Sequence, residues 1–415
     1  MRLRRSGLKP RAASTTMRAD LLQRAAARQQ ARAEAGLLRR LRSVAATTAP
    51  WIVLDGRRLL SFASNDYLGL AGHAQVREAL CSAAARWGVG ATAAHLLGGH
   101  RAPHAELEAA LAAWTGRERA LLFATGYMAN LGVLDALLQS GDVCVQDKLN
   151  HASLLDGARL CGAELRRYPH GDVDAATRQL AACPRAAALL ASDGVFSMDG
   201  DVAPLARLAA LAQQQNATLL IDDAHGLGVR GTQGAGSVAQ AGLDARQVPI
   251  LMATLGKALG TQGAFVAGDA VLIDALTQFA RAHVYSTAPP PALAAATLAA
   301  LRLAQQGEHL RARLQARIAQ LRSGAAALGL HLLPSDTPIQ PLWLGSAVTA
   351  QDWSSALEAR GFHVPAIRPP TVAQGQARLR IALSAAHGES DVERLLDALG
   401  ALRQHHAQPA PDTGA

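Results

Sequence analysis

A chain of 415 residues, half of them hydrophobic and 18% charged, has the length for two or three domain-sized units and the composition of a packed globule. No apolar run free of charges reaches bilayer-spanning length, which argues against a membrane-spanning protein. The net charge of +9 sits in residues 1–42, which carry +10 and leave −1 for the rest, so the basic balance does not argue for nucleic acid as a partner.

The opening "MRLRRSGLKPRAASTTMRAD" is rich in Arg, Ser and Thr and lacks the apolar core of a secretory signal. Residues 1–18 are read as a disordered basic tail, with Met17 as an alternative start. Residues 19–44 have no Pro and abound in Ala, Leu, Gln and Arg, which predicts an amphipathic helix. In "WIVLDGRRLLSFASNDYLGL" an Asp-Gly pair between apolar runs predicts a hairpin, completing an N-terminal segment over 19–60. From 61 to 290, apolar runs alternate with Ala/Leu-rich helical stretches. "RALLFATGY", "DVCVQDKLNH", "AALLASDGVFSMDGD", "ATLLIDDAHGLG", "PILMATLGKALG" and "GAFVAG" each read as a buried strand ending in Gly, Asp, Ser or His. The expected class is α/β, a mainly parallel sheet covered on both faces, with its ligand beyond the carboxyl ends of the strands. "STAPPPALAAATLAALRLAQQ" begins as a Pro run and becomes a helix leading into a smaller α+β domain over 291–403. The strands of that domain are expected in "IQPLWLG", "HVPAIRPPTV" and "ARLRIALSAAH", and residues 404–415 are read as a disordered tail. Cys81, Cys144, Cys161 and Cys183 show no paired metal spacing, and so few cysteines in a long chain suggest a reducing, cytoplasmic setting.

Lysine is scarce: of 41 basic residues only Lys9, Lys148 and Lys257 are lysines. Lys257 stands between glycines after an apolar run, where an amine that can lose its proton and form a Schiff base has a use that arginine lacks. Asp222, Asp223 and His225 lie where a buried strand stops. A carboxylate there can bind metal, accept a hydrogen bond from a cationic ring or cap a helix, and one nearby His without Cys is poor support for metal. Asp222 and Asp223 are adjacent and are expected to point opposite ways. Thr125, Gly126 and Tyr127 open a helix, where free N–H groups suit either a phosphate or an ordinary cap. His151 falls between a strand and a helix, and Ser197 in a turn. "LGKA" lacks the spacing of a P-loop, and "GVGATA" follows a helical rather than a strand pattern, so neither is a nucleotide motif. A phosphate nest, a His, a strand-end carboxylate and a lone lysine together are the parts of a pyridoxal-phosphate site. In "RLRI", Arg378 and Arg380 share a face, either as solvated arginines of an edge strand or as a carboxylate anchor.

Over residues 19–403 the stretches "SNDYLGL", "FATGYMAN", "NHASLLDGARL", "SDGVFSMDGD", "DDAHGLGVRG", "TLGKALG", "YSTAPPP", "AIRPPTV" and "RLRIALSAAH" resemble the α-oxoamine synthases, pyridoxal 5'-phosphate enzymes of the aspartate-aminotransferase (type I) fold. The resemblance implies Lys257 as the Schiff-base lysine, Asp222 at the pyridine nitrogen, His225 and Ser197 near the ring hydroxyl, and His151 on the ring face. It places Gly126 and Tyr127 by the phosphate and ring, Thr254 by the phosphate, Arg380 on the amino acid carboxylate, and Arg39, Asn65 and Thr371 at substrate. Within the family, "AIRPPTV" followed by "ARLRIALSAAHG" is similar to the biotin-pathway branch, which implies L-alanine and a pimeloyl thioester of acyl carrier protein or coenzyme A. A homodimer is implied as well. A glycine-using sibling and an inactive scaffold subunit are the alternatives. Ala91, Thr92, Ala93 and His95 depart from the family's Gly/Ser-rich loop, which leaves acyl-carrier preference open.

Overall fold

The computed structural model describes residue 18 and residues 20–405. The expected tails, 1–18 and 404–415, lie outside the described residues except for Arg18, Gln404 and His405. The chain divides into two compact units, Met1–Val44 and Ala45–Ala415. In the first, Asp20 caps the helix Leu21–Glu34 by accepting from Leu22 N at 2.8 Å. This helix is shorter than composition predicts. Gly36, at φ 65°, takes the left-handed turn that ends helices, and residues 37–43 are irregular.

The second unit carries three sheets. The first has the order β1-β2-β3-β12, with β1 (Val44–Thr48), β2 (Trp51–Leu54), β3 (Arg57–Ser61) and a late strand described below. The predicted hairpin is β2–β3. It turns on Asp55 and Gly56, both at positive φ, as a two-residue turn matched to strand twist requires.

The central sheet has seven strands: β4 (Arg119–Phe123), β5 (Val143–Asp147), β6 (Glu164–Tyr168), β7 (Ala188–Asp193), β8 (Thr218–Asp222), β9 (Ile250–Thr254) and β10 (Ala264–Gly268), in the order β4-β10-β9-β8-β7-β5-β6. The run from β9 to β6 is parallel, and β10 is antiparallel to both its neighbours. Side chains alternate across it: Leu189, Ala191, Leu220, Ile250 and Met252 enter one core, while Leu190, Leu219, Ile221 and Leu251 enter the other. Burial on both faces is why these strands read as continuous apolar runs. β6, "ELRRY", escapes that reading because it is an edge strand with only Tyr168 buried.

The third sheet has the order β11-β14-β13, with β11 (Ile339–Gly345), β13 (Ala366–Ile367) and β14 (Ala377–Ala382). β12 (Phe362–His363) pairs instead with β3, Phe362 opposite Leu60. "HVPAIRPPTV" is therefore not one strand. Pro365, Pro369 and Pro370 cannot donate to a ladder and confine pairing to two short pieces in different sheets. β14 is the central strand of its sheet, with Arg378 and Arg380 only 4% and 6% exposed, which removes the edge-strand reading. Among the described residues no helix is long and apolar enough to cross a membrane.

Candidate active site

The carboxyl ends of β7, β8 and β9 open onto a cavity of about 190 Å³ lined by Gly126, Tyr127, His151, Asp193, Ser197, Asp222, His225, Met252, Thr254 and Lys257, among others. Asp222 ends β8 on the face of Leu220, beneath the helix Gly126–Leu137. Its Oδ2 accepts from Asn130 Nδ2 at 2.7 Å and its Oδ1 from the Ala224 amide at 3.0 Å. The same Asn130 amide donates to Ser153 Oγ at 2.9 Å, and Ser153 Oγ lies 2.7 Å from His151 Nδ1. Asp223 turns the other way, as strand alternation requires, and its Oδ2 accepts from Ser237 N at 2.6 Å. Gly226 is obligatory in this turn, since a Cβ there would lie 2.1 Å from Asp223 Oδ1 and from Ser237 Oγ.

Lys257 follows β9 in a tight turn. Its Nζ lies 2.7 Å from His225 Nε2, and His225 Nδ1 lies 2.7 Å from Tyr67 Oη. Burial holds the Lys257 amine down near 8, and it pushes the His225 imidazole well below its ordinary value. Asp193 sits in register with Asp222 on the neighbouring strand. Burial, reinforced by the Asp222 charge, drives its carboxyl well up. Its Oδ1 accepts the His151 amide at 3.1 Å.

Thr125 caps the helix Gly126–Leu137 by accepting from Met128 N at 3.1 Å. The Gly126 and Tyr127 amides have no acceptor within the helix, and both residues line the cavity. Tyr127 Oη donates to the Asp156 carboxylate. Thr254 Oγ1 donates to Gly263 O at 3.0 Å and accepts from Gly256 N at 3.3 Å. His151 caps the next helix, Ala152–Leu160, with its ring exposed at the cavity. Beside Ser197, Arg380 Nε donates to the Ser197 carbonyl at 2.7 Å and Nη2 to Asn65 Oδ1 at 3.2 Å. Arg380 makes no ion pair among the described residues, whereas Arg378 is paired with Asp199. These residues fit pyridoxal phosphate on the structure's own terms. A buried carboxylate that makes no ion pair among the described residues suits a ring N–H, helix amides with no acceptor inside the helix suit a phosphate, and an amine of depressed basicity suits an aldehyde. No group of His, Cys, Asp or Glu among the described residues could hold a metal.

The family model for aminotransferase class I and II matches residues 57–399. An 8-amino-7-oxononanoate synthase of Alkalilimnicola ehrlichii is 56% identical over 84% of this chain and 89% of its own. One of Marinobacter nauticus is 53% identical over 90% and 94%. The chain belongs to the 8-amino-7-oxononanoate synthase family.

These synthases are pyridoxal-phosphate-dependent acyltransferases of biotin biosynthesis, and the solved structures agree in fold. A serine palmitoyltransferase from S. paucimobilis, with a bound PLP–myriocin aldimine, is 28% identical and superposes with a TM-score of 0.88 over 93% of this chain and 99% of its own. The 8-amino-7-oxononanoate synthase of Francisella tularensis is 28% identical with a TM-score of 0.73, over 84% of this chain and 98% of its own. The α/β type I fold expected of the chain is thus the fold it has.

Of the twelve site residues expected, nine line the cavity or touch its lining through side chains: Gly126, Tyr127, His151, Ser197, Asp222, His225, Thr254 and Lys257 line it, and Arg380 holds Ser197. Asn65 joins them through Arg380 and Tyr67. Thr371 lies apart, exposed in a turn where its amide donates to Arg368 O. Arg39 is exposed in the irregular segment of Met1–Val44. Sequence reasoning passed over Asp193, Asn130, Ser153 and Tyr67. Asn130 was detectable, since it follows Gly126 by four residues and so shares its helix face. The departing loop packs away from the cavity. His95 is 7% exposed, stacks on His283 at 4.6 Å and contacts His100 and His104.

Proposed function

We propose that this chain condenses L-alanine with a pimeloyl thioester, of acyl carrier protein or coenzyme A, to give 8-amino-7-oxononanoate, carbon dioxide and the free thiol, using pyridoxal 5'-phosphate held by Lys257. When bound, the cofactor supplies an electron-withdrawing ring that stabilises negative charge at the α carbon of alanine. Lys257 is the base for the alanine α proton, a role suited to an amine near 8. Asp222 holds the ring nitrogen proton by charge, and Asn130 and the Ala224 amide keep its carboxylate in place. The Gly126 and Tyr127 amides, with Thr254, take the phosphate. His151, steadied by Ser153, would cover the cofactor ring, and His225 and Ser197 would meet its hydroxyl. Thr371 is carried as a substrate contact on resemblance alone, and a homodimer on the same ground.

The observation that supports the reading is that Lys257 and Asp222 line one cavity, while Arg380, bonded to Ser197 of its lining, makes no ion pair among the described residues. Arg380 is fixed by two neutral oxygens, so its guanidinium is oriented but not neutralised and can take the alanine carboxylate in a bidentate grip. Such a grip would fix the orientation of alanine in the site. Arg380→Lys should raise the alanine KM by about tenfold to a hundredfold, while the absorbance of bound cofactor persists. Arg378→Lys should leave KM within about threefold, because Arg378 is already paired with Asp199. Equal effects in the two variants would mean that the carboxylate site is elsewhere.

Product analysis tests the function itself. Alanine with pimeloyl-acyl carrier protein or pimeloyl-coenzyme A should yield the amino-oxononanoate, and glycine with short acyl thioesters should not. Preferred turnover of glycine would assign a sibling reaction.

A further inference from the structure

The hydrogen bonds that run from Arg380 to Lys257 have a direction, and it follows from one donor-only group. Arginine has no acceptor, so the Asn65 atom facing Arg380 Nη2 at 3.2 Å is the amide oxygen. That oxygen also receives the Tyr67 hydroxyl at 3.1 Å. A hydroxyl has one hydrogen, so Tyr67 Oη can only accept at its second contact, His225 Nδ1, 2.7 Å away. His225 therefore carries hydrogen on Nδ1. A neutral imidazole has one N–H, which leaves a lone pair on Nε2, facing Lys257 Nζ at 2.7 Å.

We propose that Tyr67 is a positioning residue that locks His225 in the Nδ1–H tautomer, so that Nε2 stands as the acceptor for a Lys257 proton whenever that amine is free. Tyr67 is wholly buried, which prevents water from replacing it as partner. The charged or titratable groups that bear on His225 are Lys257, Arg380 and His151, and among the described residues the hydrogen-bond contact of its Nδ1 is Tyr67 Oη. The wire ends at Arg380, so the same five groups link the amino acid carboxylate site to the amine. The catalytic meaning of this rests on the reading of Lys257 given above.

Nitrogen-15 histidine NMR of the cofactor-free full chain should show His225 protonated at Nδ1 and bare at Nε2. Nε2–H in the unaltered protein overturns the proposal, whatever the variants do. Tyr67→Phe keeps the buried ring but removes the acceptor, and should move His225 largely to Nε2–H. Labelling of Lys257 by an amine reagent, read by mass spectrometry against pH, should have its midpoint near 8 in the unaltered protein. In Tyr67→Phe the midpoint should fall by about one unit, because the charged amine loses its acceptor. Asn65→Asp retains an acceptor oxygen and should keep the Nδ1–H form. An unchanged tautomer and midpoint in Tyr67→Phe overturns the proposal. Borohydride trapping of cofactor in Tyr67→Phe separates the two readings, since capture on Lys257 upholds the cofactor assignment even where the tautomer result fails.

Discussion

Lys257→Ala should lower turnover at saturating substrate by about 10⁴-fold or more, with the circular dichroism spectrum unchanged. Lys257 is the lysine that lines the cavity, and Lys148, beyond β5, is exposed and absent from the lining. Lys257→Arg should be as inactive as the alanine variant, since a guanidinium stays protonated and forms no imine. In the alanine variant the loss is not one of folding. Below pH 8 the native amine carries its charge against burial, a cost that fades as pH rises from about 8 towards 10.5, so removing it should not lower Tm at neutral pH. Borohydride-trapped cofactor should map to the Lys257 peptide. Recovery on Lys148 would refute the assignment.

Asp222→Asn should reduce exchange of the alanine α proton by about 10²- to 10³-fold while the protein still folds and takes up cofactor. The variant preserves shape and an acceptor for Asn130, but not the charge proposed to keep the ring nitrogen protonated. Asp193 makes this test informative. It lies in register with Asp222, and part of what drives its carboxyl up is the Asp222 charge, so in the variant it ionises more readily. Near-normal exchange would assign the role to Asp193. Asp223 is a poor substitute, because it faces Ser237 on the other side of the strand.

Strand positions in the central sheet were legible because burial on both faces writes uninterrupted apolar runs, each ending in a polar residue. β6 was not, because an edge strand has no such signature. The residues proposed to meet the cofactor directly, Lys257, Asp222 and His225, stand out by type and place. Those that act through others do not. Asn130 looks like any helical asparagine until it is seen to reach Asp222, 92 positions away. The helix over 19–44 was overextended because Ala/Arg-rich composition carries no stop signal beyond Gly36.

The pairing of β3 with β12 has a consequence for synthesis. Arg57 reaches the carbonyls of Glu358 and Ala359, about 300 positions later, and Arg380 reaches back to Asn65 across 315. At roughly 5–20 residues per second, the ribosome delivers those partners about 15–60 seconds after β3 emerges. For that time the apolar run of β2 and β3 lacks its parallel neighbour, and Arg380, the proposed carboxylate anchor, has not been made. A chain cut short between Gly268 and Phe362 therefore contains the whole central sheet and the lysine turn, yet it leaves β3 without its parallel neighbour and lacks Arg380. An unpaired strand edge is a template for pairing with other chains, so truncated products of this kind should aggregate more readily than the full chain.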